Sequence, residues 1–131
     1  MIGLVLVTHA GMARELLTAA EMIVGKLDLV ETVGIQQDDP VEGIRNSITG
    51  AIERVNDSGV IIMTDMFGGT PSNMSLSFLE DNRVEVLTGV NLPMVIKFAA
   101  ERGKRGVAEL AGLLKECGRE SISVAGEYLK K

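Results

Sequence analysis

The chain has a single cysteine, Cys117, which excludes an intramolecular disulfide and a cysteine-built metal cluster. Cys117 reads as a half-buried helix residue, with a reactive thiol as the alternative. There is also only one histidine, His9, too few for a multi-histidine metal site. Basic residues are outnumbered, 13 Lys and Arg against 18 Asp and Glu, giving a net charge of −5. With no basic stripe, nonspecific nucleic-acid binding is disfavoured, whereas a protein partner with a local basic face is compatible. No segment reaches the ~18 continuous apolar residues of a membrane span. The opening MIGLVLVTH lacks a basic leader region and soon meets a histidine, so it reads as neither a signal peptide nor an anchor. Several phosphate and nucleophile motifs are missing too. No GxxxxGK[ST] occurs, no GxGxxG follows the first strand, and there is no GxSxG elbow. A soluble, cytoplasmic protein is the expectation.

What remains is the composition of a compact fold, with 46% hydrophobic residues and three prolines. A length of 131 residues suits one domain, residues 1–131, able to bury about two-thirds of its unfolded surface without a metal or disulfide. Ile2–Thr8, Leu29–Ile35, Val60–Thr64 and Val84–Thr88 are short apolar runs of the kind that form buried parallel strands. Between them the apolar period lengthens to that of a helix. Ala13, Leu16, Leu17, Ala20, Ile23 and Val24 form one stripe, ending near Gly25, and Val41, Ile44, Ile48, Ile52 and Val55 form another. Asp39 and Pro40 mark the start of the second helix, as N-cap and first-turn proline. Thr70 and Pro71 mark a third helix in the same way, Pro93 opens a fourth that runs to about Ala100, and Val107, Leu110, Ala111 and Leu114 define a last one. Ser121–Ala125 suits a terminal edge strand. The expected fold is α/β: a doubly wound, mainly parallel sheet of four strands, helices on both faces, and a C-terminal edge strand.

Open sheets of this kind place their sites beyond the carboxyl ends of the strands. Three polar loops lie there: Thr8–Gly11, Asp65–Thr70 and Thr88–Leu92. His9 at the end of the first strand is suited to act as nucleophile, as acid–base group, or as one arm of a pair. Asp65, directly after the third strand, is the natural second arm. A carboxylate on one ring nitrogen fixes the tautomer and leaves the other nitrogen free as a nucleophile. The plainer reading has Asp65 only closing its loop. Gly68, Gly69 and Thr70 suit an anion, since glycines let backbone N–H groups approach and the threonine adds a hydroxyl. A tight turn and helix cap would use the same residues. Met66 and Phe67 are either core anchors or an exposed patch for a protein partner, which Met12 and Met94 would join. Arg14 either steers an anionic partner or is simply solvated. Asn73 and Asn91 are candidates to line the same region.

Taken together, Leu4–Ala10, Thr64–Asn73 and Gly89–Met94 resemble the IIA domain of the mannose/fructose/sorbose class of the bacterial phosphoenolpyruvate-dependent sugar phosphotransferase system. The resemblance covers nearly the whole chain and rests on three separated motifs in order. It implies that His9 is transiently phosphorylated. The donor would be the histidine-containing phosphocarrier protein and the acceptor a separate IIB protein, with the membrane reached only through IIC and IID permease components. It also implies that Asp65 holds Nδ1, that Nε2 accepts, and that Thr70, serine in many members, contacts the phosphate. No cofactor or metal is implied. The terminal strand would be exchanged across a homodimer. Ser72 stands where some members have an aromatic residue, a change expected to touch partner contacts. Other readings are a regulatory module whose partner choice follows phosphorylation of His9, and a phosphatase or mutase acting on a small metabolite. The second of these normally needs another acid–base group and more arginines than the loops offer.

Overall fold

Alternation along the first strand decides where the other elements go. In β1 (Gly3–His9), Leu4 and Leu6 enter one core and Val5 and Val7 the other, as a two-residue period requires. The computed structural model describes residues 1–129. It places β1 between β2 (Val30–Ile35) and β3 (Val60–Thr64), with β4 (Val84–Thr88) outside β3. Every pairing is parallel.

The helices cover both faces. α1 (Met12–Val24), α4 (Leu92–Glu101) and α5 (Val107–Glu120) pack on the Leu4 and Leu6 side. α2 (Val41–Val55) and α3 (Thr70–Leu76) pack on the Val5 and Val7 side. The chain winds outward from β1 to β2, then returns past β1 to β3 and β4. Its direction therefore reverses between β1 and β3, and the crevice at their carboxyl ends is the place such a sheet offers a ligand. The expected α/β architecture and its four strands are as observed.

Three local expectations change. Asp39 does not cap α2; Pro40 occupies the cap position, and Asp39 Oδ2 instead accepts the Gln36 N–H at 2.8 Å, closing the preceding loop. Thr70 is the first residue of α3 rather than its cap, a position taken by Gly69. The edge strand expected at Ser121–Ala125 is not formed. α5 runs to Glu120, the Ser121 hydroxyl folds back onto the Cys117 carbonyl at 2.6 Å, residues 122–124 are irregular, and Ala125–Leu129 is a short helix, α6. A strand needs a neighbouring edge for its backbone groups. With none alongside, the segment satisfies them locally, as in the Glu127 N–H to Val124 carbonyl bond of 2.9 Å. Lys130 and Lys131 lie outside the described residues.

The amino end of the sheet has a closure supplied from Glu101–Arg105, a stretch whose charges and glycine spell a solvated break. Arg102 is buried, 6% exposed. Its Nε and Nη2 donate to the Ile2 carbonyl at 3.0 and 2.9 Å, and Nη2 also reaches the Leu29 carbonyl at 3.3 Å. The guanidinium lies 4.9 Å from the centre of the Phe98 ring.

Candidate functional site

His9 is the last residue of β1 and Asp65 the first after β3, so adjacent strands bring them together at the reversal point. One oxygen, Asp65 Oδ2, accepts both the His9 backbone N–H at 2.9 Å and ring Nδ1 at 2.7 Å. The other, Oδ1, accepts the Met66 N–H at 3.1 Å. Because the carboxylate is an acceptor, the neutral ring keeps its proton on Nδ1 and leaves the Nε2 lone pair free. Partial burial pushes the Asp65 carboxyl upward. The hydrogen bonds from the His9 backbone and ring, the His9 charge and its own backbone N–H outweigh that and hold it below the usual aspartate value. The two side chains divide the exposure, with His9 52% exposed and Asp65 11%. The carboxylate is shielded while the ring edge faces solvent.

The turn after His9 is tightly specified. Ala10 sits in the left-handed region at φ 50°, which a non-glycine residue adopts at some cost, and its N–H bonds the Ile35 carbonyl at 2.8 Å. Thr8, fully buried, accepts the Ala13 N–H on Oγ1 at 2.7 Å and donates to the His9 carbonyl at 3.2 Å. The hydroxyl thus does the capping work for α1 that Gly11 cannot. The signal for it was a lone hydroxyl residue closing an apolar strand just before a helix.

On the other side of the ring runs the Asp65–Thr70 loop. Gly68 has φ 89°, a conformation that favours glycine. A Cβ on Gly69 would come within 2.9 Å of His9 Cε1 and 3.4 Å of Nε2. Only glycine at this position leaves the outer ring nitrogen uncovered. Thr70, exposed at the start of α3, shares with His9 the wall of an open cleft of about 690 Å³, whose other sides include Ile35, Gln36, Asp39 and Val41. Asn73 closes the loop, its Nδ2 donating to the Gly68 carbonyl at 3.4 Å.

The residues expected on a partner surface divide. Met12, Met66 and Phe67 are 46%, 55% and 72% exposed, and Arg14 is exposed as well. Met94 is not available, since it is 3% exposed and packs in the core against Gly118, which has no side chain to obstruct it. Asn91 is committed to structure. Its Oδ1 caps α4 through the Met94 N–H at 3.1 Å and its Nδ2 donates to the Gly118 carbonyl at 3.0 Å. Ser72 is fully buried, so the expected effect on partner contacts does not arise from its side chain. Cys117 is half-buried in α5, with Sγ 3.8 Å from the Pro93 carbonyl. Among the described residues no group of three or more His, Cys, Asp or Glu is placed to hold a metal ion, and no helix is long and apolar enough to cross a membrane.

The chain is similar to known proteins in sequence and in fold. The family described as PTS system fructose IIA component matches residues 3–114. The PTS system fructose-specific EIIA component of Bacillus subtilis is 27% identical over 133 aligned positions, covering 100% of this chain and 91% of that protein. The PTS system mannose-specific EIIAB component of Escherichia coli is 29% identical across 92% of this chain and 38% of its own length. The solved structure of the mannose/sorbose specific IIA subunit from Enterococcus faecalis superposes with a TM-score of 0.83 at 28% identity, over 93% of this chain and 92% of that one. The chain belongs to the PTS system fructose IIA component family and is a phosphocarrier that transfers phosphoryl groups in the sugar phosphotransferase system, where it acts with carrier and IIB partners.

Proposed function

We propose that His9 Nε2 is the atom that carries the phosphoryl group. The observation that supports it is the 2.7 Å contact between Nδ1 and Asp65 Oδ2, on a ring whose opposite nitrogen is left open by Gly69. The donor is the phosphorylated histidine-containing phosphocarrier protein. The Nε2 lone pair bonds phosphorus as the nitrogen–phosphorus bond of the donor breaks, and the donor ring keeps that electron pair. The proton stays on Nδ1, so the attacked ring becomes cationic and Asp65 stabilises it. Gly68, Gly69 and the Thr70 hydroxyl receive the phosphoryl oxygens. The group then passes in the same manner to a separate IIB protein in the cytoplasm. Met12, Arg14, Met66 and Phe67 form the docking rim, and residues 1–131 act as one domain. Both reacting groups are histidines, so the scheme requires no metal or cofactor.

The test is transfer of label from phosphoenolpyruvate through the general carrier proteins. Wild-type chain takes one phosphoryl group and His9→Ala takes none. Label on His9→Ala contradicts the assignment.

A homodimer belongs to the same proposal. Ile122, Val124, Tyr128 and Leu129 are 77%, 61%, 68% and 82% exposed, a run of apolar surface that a second copy would cover. Light scattering on a sizing column is expected to give twice the mass of the chain; the mass of one chain contradicts the dimer.

A further inference from the structure

The geometry points to Gly34, on the strand beside β1, as a positioning residue that holds His9 against Asp65. It rests on the reading of His9 given above, but its first readout does not need phosphoryl transfer.

Gly34 pairs with Thr8 in the sheet, and its neighbours Val33 and Ile35 both point into the core on the α2 side. Its own missing side chain would point the other way, toward the turn that follows His9. There a Cβ would lie 2.3 Å from the Ala10 carbonyl oxygen and 3.3 Å from the carbonyl carbon. The β1–α1 turn thus folds over the end of β2 at a separation no side chain permits. The Ala10 N–H is meanwhile bonded to the Ile35 carbonyl at 2.8 Å, and Ala10 itself is at φ 50°. One residue is therefore held on both of its peptides, by its N–H on one side and its carbonyl on the other, and it is the residue directly after His9. The His9 N–H and ring Nδ1 converge on one Asp65 oxygen because the backbone leaves β1 at this angle.

A methyl group at position 34 must push the Ala10 carbonyl outward by about 1 Å to reach an ordinary contact. A 1 Å misplacement of a reacting group costs on the order of 100-fold in rate. The hydrogen bond that selects the tautomer would lengthen by a similar amount.

A matched control is available. A Cβ on Gly3 would meet the Val55 carbonyl oxygen at 2.2 Å, the same kind of collision at the opposite end of the sheet. Gly34→Ala and Gly3→Ala are expected to lose thermal stability to a similar degree, while their histidines differ. Because His9 is the only histidine, nitrogen NMR reads its tautomer without assignment. Gly3→Ala keeps the wild-type Nδ1–H form and transfer rate. Gly34→Ala shows mixed tautomers and roughly 100-fold slower phosphorylation. Ala10→Val disturbs the same turn without a substitution in β2, since a β-branched residue resists a left-handed φ, and it is expected to give the same signature if Gly34→Ala fails to fold. Wild-type nitrogen shifts and rate in folded Gly34→Ala, or in Ala10→Val, overturn the assignment. A wild-type chain that takes no phosphoryl group overturns the reading of His9 instead, and the nitrogen shifts still decide the role of Gly34.

Discussion

Asp65→Asn is expected to slow phosphorylation of His9 by about 10³- to 10⁴-fold, the scale of loss when the orienting carboxylate behind a catalytic histidine is neutralised. An amide cannot repeat the contacts of the carboxylate. With its oxygen toward His9, its NH₂ faces the Met66 N–H, donor against donor. Turned round, it faces the His9 N–H and favours the tautomer that protonates Nε2, the nucleophile. In either orientation no negative charge remains to stabilise the ring as it becomes cationic. Stopped-flow transfer from phosphorylated carrier protein measures the rate, and a loss below tenfold would mean that Asp65 does no more than close its loop. The same variant has a signature in acid. The Asp65 pKa is lowered by folding, so its stabilising contribution is complete above the unfolded value near pH 4 and disappears as the pH falls through the folded value. The wild-type melting temperature should therefore fall toward that of Asp65→Asn on acidification below about pH 4, the gap between the two curves narrowing.

Arg102→Ala is expected to cost about 3–5 kcal/mol of stability and to lower the melting temperature by about 10 °C or more. The guanidinium supplies hydrogen bonds to two carbonyls, on Ile2 and Leu29, at the start of the sheet. Burial lowers its pKa and Asp28 partly offsets this, but an arginine remains charged. Removing it leaves the Ile2 carbonyl in the interior without its donor and strips the Phe98 ring of its cation. Arg102→Lys should recover only part of the loss, because an ammonium cannot place two parallel donors on one carbonyl while reaching the second. Thermal melts of the two variants measure this. An Arg102→Ala change of less than 1 kcal/mol would show that water replaces the guanidinium there. The site lies at the opposite end of the strands, so phosphorylation per folded molecule should survive.

These two predictions differ in how readily the sequence revealed them. His9 and Asp65 were legible because each follows an apolar run, and the rule that sites gather at strand ends needs no distant information. Val60–Thr64 and Val84–Thr88 were legible to the residue, since turn residues bound them on both sides. Arg102 was not, because its partners lie 100 and 73 positions away and its neighbours spell a solvated break. Gly34 was hidden for a similar reason: a glycine within a strand has meaning only once the turn after His9 is seen to fold over it. Met94 was misplaced because reading it as part of an exposed patch ignored its helical spacing to Phe98, which carries both into the core. The edge strand at Ser121–Ala125 rested on its position and on what the family resemblance implies, and neither supplies an edge to pair with.

The central claim is that one nitrogen of one ring carries the phosphoryl group. Phosphorus–nitrogen NMR on ¹⁵N-labelled, phosphorylated chain tests this most directly. The account predicts a phosphorus coupled to Nε2 of His9, with the proton retained on Nδ1 in contact with Asp65. A phosphorus bonded to Nδ1, or to any residue other than His9, would contradict it.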